Sequence, residues 1–232
     1  MKTKITAVIF SLLSFSLVLP YSSIIASDVK TTRITDKDTN IELYVTMFTQ
    51  RDNCGFGILD VPDPQKAGII LTYWDASKYS IIINGGYFTP DFQPVGLLKI
   101  NGKFLNKRKP KKLSGFVAMD KKGIISILTH NDDLSPYSSI LQSGPYVIDP
   151  GSKIGIISND GEISRRTLIG KTTGNELVII ITSQVSLFDI ANFIKKKFPD
   201  IDRLLNLDGG PSTALKTDSI EMVNVAGKGL HL

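Results

Sequence analysis

The amino-acid sequence predicts an α+β fold, a single domain with a large mixed, hairpin-rich β-sheet and packed helices. Short β-branched and aromatic runs alternate with Asn-Gly, Lys-Gly and Asp-Gly pairs, a pattern typical of β-hairpins. The segment "SLFDIANFIKKKFP", residues 186–199, instead carries apolar residues at helical spacing. Strands and helices within a chain of this length indicate one domain in which helices cover a sheet.

Strand signals account for most of the chain. The run at 41–48 alternates between apolar and polar residues, and the continuous apolar run at 177–182 predicts a central strand covered on both faces. Three hairpins are predicted over 97–105, 115–128 and 154–164, with turns at Asn101-Gly102, Lys122-Gly123 and Asp160-Gly161.

Two helices are predicted. In the first, at 186–198, Ser186 caps the helix, Asp189 closes a capping box, and three lysines in the last turns face the negative end of the helix dipole. Pro199 ends it. A weaker helix is predicted over residues 64–79, with Trp74 against the sheet.

The N-terminal segment has the pattern of a secretory signal peptide. Lys2 and Lys4 precede an apolar run at 5–19, Pro20 breaks that run, and Ala26 offers a cleavage point. The run is shorter than the roughly 20 apolar residues that span a membrane. We therefore expect a signal peptide at 1–26, a domain at 27–232, and a secreted or periplasmic bacterial protein with no membrane span after cleavage.

Charge narrows the classes of partner. The net charge is +5, and basic residues cluster at 106–112 and 195–197. Such clusters are either solvated surface or a surface that attracts a polyanion. If the clusters attract a polyanion, predicted export favours a phosphorylated carbohydrate or envelope glycan as the partner and disfavours nucleic acid. Cys54 is the single cysteine, so no intrachain disulfide forms.

Two corners rich in glycine follow apolar runs. The first is Asn84-Gly85-Gly86, and the second runs from Asp208 to Thr213. Glycines at such corners permit positive φ and let a ligand approach the backbone, whose N–H groups can then hold an anion. The sequence pattern alone leaves two tight loops without a ligand as the alternative.

The order of the motifs suggests a family. "INGGYF", "LQSGP", "RRTLIG" and "LNLDGGPSTAL" occur in that order between about residues 79 and 215. Together they resemble the phosphodiester glycosidase family. The resemblance implies an enzyme that hydrolyses a glycosyl phosphodiester at the anomeric carbon and releases a sugar and a phosphomonoester. Pro211 departs from the family pattern, which often has glycine there, and it lacks an N–H group. The alternative is a catalytically inactive envelope protein that binds phosphorylated or anionic glycans.

The resemblance also suggests the site residues. Asp208, Arg166 and Asn84 are the expected catalytic residues, with Arg166 as a two-point phosphate clamp and Arg165 on the opposite face of its extended segment. The role of Asp208 as base, nucleophile or sugar contact stays open. The expected substrate-binding residues are Gly85, Gly86, Tyr87, Gln142, Ser143, Gly144, Thr167, Gly209, Gly210 and Ser212.

A second catalytic carboxylate and a metal are not evident from the motifs. Asp91, Asp149 and Glu162 are the candidate carboxylates, and without a measured separation neither retention nor inversion can be assigned. No cluster of residues at metal-ligand spacing occurs, so no cofactor is expected to be required. Calcium at Asp208 with backbone carbonyls is possible. A phosphodiesterase that cuts phosphorus–oxygen bonds is disfavoured because no two-metal ligand set is visible.

Overall fold

A computed structural model of the chain describes residues 7–10, 29–50, 56–59, 75–76 and 79–223. Within these ranges it has seventeen β-strands, one α-helix and a 3₁₀ turn at Gly210–Ser212. The helix, α1, spans Leu187–Lys197. In chain order the strands are β1 Ala7–Phe10, β2 Lys30–Asp36, β3 Ile41–Phe48, β4 Phe56–Leu59, β5 Ile81–Asn84, β6 Leu98–Ile100, β7 Lys103–Asn106, β8 Gly115–Met119, β9 Ile125–Thr129, β10 Ser139–Ser143, β11 Tyr146–Asp149, β12 Lys153–Ile154, β13 Thr167–Thr172, β14 Leu177–Thr182, β15 Ile201–Asn206, β16 Ala214–Thr217 and β17 Glu221–Val223.

The strands form three sheets. A seven-stranded antiparallel sheet has the order β12-β11-β15-β13-β14-β3-β2. A five-stranded antiparallel sheet has the order β7-β6-β10-β8-β9. A five-stranded mixed sheet has the order β17-β16-β5-β1-β4, in which β1 runs parallel to both of its neighbours. The two glycine corners meet because β5 pairs with β16, some 130 residues later in the chain.

Two apolar cores occupy the two faces of the seven-stranded sheet. One face packs against both five-stranded sheets, through residues such as Ile169, Leu141 and Ile83. The other face packs against α1, through Leu168 and Ile190 among others. Alternate residues of β13 thus enter different cores, as the two-residue period of a strand requires. Burial on both faces makes this sheet a rigid support for residues at the ends of its strands.

The predicted α+β class with packed helices is wrong. The described residues form three sheets packed on one another and contain a single α-helix, so the protein is mostly β. The apolar runs were correctly interpreted as strands, but their distribution among sheets depends on pairings between distant segments, such as β5 with β16. A local pattern carries no information about such pairings.

Several local predictions are confirmed. The hairpins at Asn101-Gly102 and Lys122-Gly123 form as β6-β7 and β8-β9, and β14 is a buried strand between β13 and β3. Asn101 and Gly102 both have positive φ, as the two-residue turn requires. The helix is also confirmed, with Ser186 at its N-cap accepting the N–H of Asp189.

One hairpin prediction is wrong, and other predictions lie outside the described residues. The segment 154–164 forms no hairpin, because β12 pairs back onto β11 and residues 155–163 have no regular structure. Its isoleucines Ile157 and Ile163 are 89% and 65% exposed, so its alternation does not mark a buried face. The predicted helix at 64–79 and Cys54 fall outside what can be described, apart from residues 75–76 and 79 of the helix.

Within the N-terminal segment the structure describes residues 7–10, which form β1. This strand lies between β4 and β5, inside the segment predicted to be cleaved, and cleavage stays a prediction. Removal of residues 1–26 would leave β4 and β5 without their shared neighbour. Among the helices of the described ranges, none has the length and apolar character needed to cross a bilayer.

Candidate functional site

Asn84 holds the two glycine corners together. It ends β5, is 1% exposed, and uses both atoms of its side-chain amide. Its Nδ2 donates to the carbonyl of Asp208 at 2.7 Å, and its Oδ1 accepts from Thr167 Oγ1 at 2.5 Å and from the N–H of Ala214 at 3.1 Å. The side chain therefore connects β5, β13 and both ends of the Asp208 corner.

The Asp208 corner folds as a compact turn after β15. The N–H of Asp208 donates to the carbonyl of Gly85 at 2.9 Å, so the two corners touch directly. Gly209 has to be glycine, because a Cβ there would lie 2.5 Å from the carbonyl oxygen of Arg165. The N–H groups of Gly209, Gly210, Ser212 and Thr213 all bond within the protein. Anion binding at this corner therefore depends on side chains more than on those amides.

The carboxyl group of Asp208 is mostly buried in this corner. Burial raises its pKa above the ordinary aspartate value, and hydrogen bonds from the Ser212 side chain and the Gly209 N–H partly oppose that rise. The Gly209 N–H reaches Oδ1 at 2.8 Å. One carboxylate oxygen is thus held by the turn, and the group as a whole is a stronger base than a free aspartate.

Tyr87 lies within electrostatic range of both Asp208 and Arg166. Burial raises the pKa of its hydroxyl to about 12, with the Asp208 charge adding to the rise and the Arg166 charge opposing it. Asn206 Nδ2 donates to the Tyr87 hydroxyl at 2.5 Å. Since the phenol stays protonated at neutral pH, its O–H can act as a hydrogen-bond donor at the site.

The guanidinium of Arg166 is half-buried and anchored. Its Nε donates to the carbonyl of Val185 at 3.2 Å, and its Nη2 donates to the carbonyl of Glu162. Burial lowers its pKa from the ordinary arginine value, while Tyr87 and Glu162 oppose this shift. Arginine stays cationic despite such a shift. The two backbone contacts leave Nη1 and the second N–H of Nη2 for an anion.

The structure brings the three expected catalytic residues together. Asn84 bonds the Asp208 backbone, while Asp208 and Arg166 both lie near enough to Tyr87 to influence its titration. Thr167 joins them through its bond to Asn84, and Ser212 joins them through its bond to the Asp208 carboxyl. Gly85, Gly86, Gly209 and Gly210 form the backbone of the same two corners.

The "QSGP" motif lies behind the site. Ser143 Oγ donates to the carbonyl of Asn206 at 2.8 Å, so it supports the end of β15. Gln142 is buried, with its amide bonded to the N–H of Leu97 and to the carbonyls of Pro110 and Leu113. A Cβ on Gly144 would meet the backbone N of Ser114 at 2.4 Å. In this conformation the motif supports the corner from within.

Asn206 is a site residue that sequence analysis did not select. It ends β15, is 1% exposed, and holds the Tyr87 hydroxyl. The available signal was an asparagine inside the apolar run "LLNLD". Its Oδ1 is buried without a partner among the described residues, as are Arg165 Nη1 and Thr213 Oγ1. Because an unpaired buried polar atom destabilises a fold, the free Oδ1 of Asn206 beside the Tyr87 contact suits a ligand or an ordered water at this corner.

The candidate second carboxylates differ in position. Glu162 lies close to Arg166. Its backbone carbonyl accepts a hydrogen bond from Arg166 Nη2, and its charge acts to raise the pKa of the guanidinium. Asp91 is exposed and bonds Thr89 Oγ1 at 2.5 Å, and Asp149 lies at the end of β11. In the described part of the chain, no three His, Cys, Asp or Glu side chains gather as a metal site would require.

A separate cavity of about 660 Å³ lies beside α1. It is bounded by the turn after β2 and by residues such as Val185, Phe188 and Asn192, and neither Asp208, Tyr87 nor Arg166 lines it. We place the candidate site at the Asp208 corner, because the motif residues and the buried carboxyl converge there. The residues lining the cavity belong to none of the four motifs.

Comparisons with known proteins identify the family and the fold of the chain. Residues 77–229 match the family model described as phosphodiester glycosidase, which confirms the resemblance drawn from the four motifs. Zebrafish N-acetylglucosamine-1-phosphodiester alpha-N-acetylglucosaminidase, solved as a catalytic domain auto-inhibited by its pro-peptide, aligns with a TM-score of 0.54 and 15% identity over 86% of this chain and 77% of that one. A hypothetical protein from Synechocystis aligns with a TM-score of 0.56 and 12% identity over 85% of this chain and 59% of its own. At these identities the likeness concerns the fold. No curated protein matches the sequence.

Proposed function

Because the chain belongs to the phosphodiester glycosidase family, we propose that it hydrolyses a glycosyl phosphodiester at the anomeric carbon and releases a sugar and a phosphomonoester. The observation that carries the proposal is the buried Asp208 carboxyl in the turn after β15, within electrostatic range of the Tyr87 hydroxyl, on which the Arg166 guanidinium also acts. This corner supplies a carboxylate for the sugar and a cation for the phosphate.

Arg166 is assigned to the phosphate. When the bond between the anomeric carbon and the phosphate oxygen breaks, its electron pair stays with the phosphate, which leaves as a monoester anion. Such an anion needs little protonation to depart, so a cation with free N–H groups serves it better than a strong acid. The remaining N–H groups of Arg166 suit this contact, since two backbone carbonyls already hold the guanidinium in place.

Asp208 is assigned to the sugar. The anomeric carbon gains positive charge as the phosphate leaves, and a water oxygen then bonds to it and loses a proton. A buried carboxylate opposite that carbon stabilises the charge, and its raised pKa makes it a better acceptor for the proton. The Gly209 N–H and the Ser212 side chain orient the group, so little reorganisation is needed during reaction.

The proposed setting is outside the cytoplasm, with a phosphorylated or envelope glycan as substrate. It rests on the predicted signal peptide at 1–26. The mass and N-terminal sequence of the exported protein test it directly. A protein that keeps residues 7–10 would retain β1 in the mixed sheet and would contradict cleavage after Ala26.

The decisive experiment compares the wild type with Asp208→Asn on a sugar-1-phosphate methyl diester. Asparagine keeps the side-chain shape but removes the charge and the basicity. We expect turnover to collapse while binding of the sugar phosphate persists or tightens, because a nearby negative charge is gone. The contrary outcome is a wild-type protein that binds this ligand without hydrolysing it, with the same affinity as the Asp208→Asn variant. That result would support the alternative of an inactive glycan-binding protein.

Arg166→Lys and Arg165→Lys form a matched pair for the phosphate assignment. Lysine keeps the charge but cannot hold two backbone carbonyls and a phosphate together. Loss of a transition-state contact costs on the order of 3 kcal/mol, about a hundredfold in rate. We expect that loss for Arg166→Lys and a smaller one for Arg165→Lys. Equal losses would remove Arg166 from the phosphate role.

A further inference from the structure

Residues 99–112, the basic segment, lie next to the candidate site and play no part in the proposed chemistry. The segment contains seven lysines and arginines and no acidic residue, and none occurs anywhere between Asp91 and Asp120. Six of its cations are exposed. Across the described residues, no carboxylate forms an ion pair with any of them. Among the described residues, the positive charge of the basic segment is therefore not neutralised by ion pairs.

The basic segment is joined to the site by a short structural path. The carbonyl of Tyr87 accepts a hydrogen bond from the N–H of Val95 at 3.0 Å, so residues 87–95 form a wide turn whose two ends are bonded to each other. Asn106 Nδ2 bonds the carbonyls of Pro94 and Gly96 in that turn, at 2.6 and 2.9 Å. The turn and the basic segment enclose a cavity of about 590 Å³, to which Thr89 and Arg108 contribute.

Exposed aromatic rings accompany the cations. Phe104 is 44% exposed, with Lys99 Nζ at 5.4 Å and Lys107 Nζ at 5.8 Å from its ring centroid. Phe92, also exposed, packs on Phe88 with 6.2 Å between ring centroids. Rings offer flat apolar faces to sugars and ammonium groups pair with phosphates, so the surface suits a chain in which the two alternate.

We propose that the basic segment and the adjoining cavity are a subsite for an extended glycan with repeating phosphates, of which the Asp208 corner processes one linkage. The inference rests on the proposed function and specifies its substrate class as a polyanionic polymer. A single phosphodiester would contact Arg166 and Asp208 only and would not need this surface. Among the described residues that line the cavity, Asp91 is the one acidic group and Arg108 is the one cation, and a hydrogen bond from Thr89 lowers the pKa of Asp91. The other six cations of the basic segment lie outside the cavity lining, so the segment as a whole carries far more positive than negative charge.

A membrane surface or a nucleic acid is less suited to this geometry. Peripheral membrane contacts commonly combine cations with an amphipathic helix, whereas these cations lie on the β6-β7 hairpin and in the loop that follows it, beside a concave cavity. Val95 lines the cavity and bonds the Tyr87 carbonyl, so the cavity adjoins the candidate site, which favours a ligand that reaches both.

The test uses two variants with equal charge change. Lys107→Gln, Arg108→Gln and Lys109→Gln are combined in the test variant, and Lys121→Gln, Lys122→Gln and Lys153→Gln in the control variant. All six residues are exposed, so both variants should fold, which a melting curve verifies. The substrates are an oligomer of repeating hexosamine 1-phosphate units and the methyl phosphodiester of one unit.

For the wild type we expect kcat/KM on the oligomer to exceed that on the single unit by about tenfold or more at low salt, since a field of one sign raises association rates. Added salt should remove the advantage. The test variant should lose most of it with unchanged kinetics on the single unit, and the control variant should keep it. Equal losses in both variants, or equal losses on both substrates, would overturn the proposal.

A binding arm separates this inference from the proposed hydrolysis. The affinity of Asp208→Asn for the uncleaved oligomer is measured with and without the test substitutions, so the subsite is tested even if no hydrolysis occurs. A weakening of several-fold confined to the test substitutions supports the subsite. If those substitutions weaken binding to anionic phospholipid vesicles or to single-stranded DNA and leave oligomer binding unchanged, the partner is of that other class and the proposal fails.

Discussion

Replacing Asn84 by alanine should release the Asp208 corner. Asn84 makes three hydrogen bonds in a site that is 1% exposed, to the Asp208 carbonyl, the Thr167 hydroxyl and the Ala214 N–H. Alanine leaves all three partners buried without a replacement. Each such loss costs about 1–3 kcal/mol, so for three bonds we expect destabilisation of roughly 3–9 kcal/mol. That is a large share of the typical 5–15 kcal/mol stability of a domain.

The activity of Asn84→Ala should fall even among folded molecules. The Asp208 carboxyl depends on a backbone that Asn84 holds, and a small misplacement of a catalytic group costs on the order of a hundredfold in rate. Urea unfolding gives the stability, and kcat/KM on a sugar-1-phosphate methyl diester, corrected for the folded fraction, gives the activity. The matched control is Gln50→Ala, which also breaks backbone contacts of a side-chain amide, at Ile125 and away from the site.

Two outcomes would refute this reasoning. One is an Asn84→Ala protein that unfolds at the wild-type urea concentration, and the other is a loss of activity per folded molecule no larger than in Gln50→Ala. If Asn84→Ala fails to fold, Thr167→Val removes only one of the three bonds and keeps the side-chain shape. It should cost about 1 kcal/mol and lower kcat without changing the fold.

Three other predictions concern the core, the carboxyl and the phenol. Ile190→Ala in α1 should lower the free energy of unfolding by about 2–5 kcal/mol, because it loses buried apolar surface and leaves a cavity, while turnover per folded molecule stays unchanged. Reduced turnover with an intact melting curve would instead show that α1 shapes the site. Since burial raises the pKa of Asp208, the folded state binds the carboxyl proton more tightly than the unfolded state does. The contribution of Asp208 to stability should therefore decline as pH rises from the unfolded pKa through the folded one. Because the ionised carboxylate is the active form, kcat/KM should fall as pH drops through the same raised pKa. Asp208→Asn should abolish this contribution to the pH dependence of stability, and an acid limb of kcat/KM at the ordinary aspartate pKa would contradict the assignment. Tyr87→Phe removes a hydroxyl bonded to Asn206 and should lower kcat/KM by about tenfold, which corresponds to one hydrogen bond of about 1.4 kcal/mol, while wild-type kinetics in this variant would exclude the hydroxyl from the reaction.

The turns, the helix cap and the buried central strand could be predicted from the sequence, because local chemistry specifies them. The Asn101-Gly102 turn, the Ser186 cap and the buried β14 were predicted because a turn, a cap and a two-sided apolar strand are each specified by neighbouring residues. The family was identifiable for a related reason, since glycines such as Gly209, which has no room for a Cβ, keep a motif recognisable.

Tertiary structure decided what depends on distant segments. The number of sheets followed from pairings such as β5 with β16, and the α+β prediction failed because no local pattern encodes them. The prediction of a hairpin at 154–164 was wrong for the same reason, because β12 pairs with β11 and not with the segment that follows it.

The candidate site, too, was predictable from sequence in part and depended on tertiary structure for the rest. The residue types at the Asp208 corner were visible in the sequence, as was the expectation that they meet. Their working state was not, because the raised pKa of Asp208, the anchoring of Arg166 by backbone carbonyls and the contact of Asn206 with Tyr87 depend on burial and on neighbours far along the chain. Sequence determines which groups are available, and packing determines how water is excluded from them and therefore how they titrate and bond.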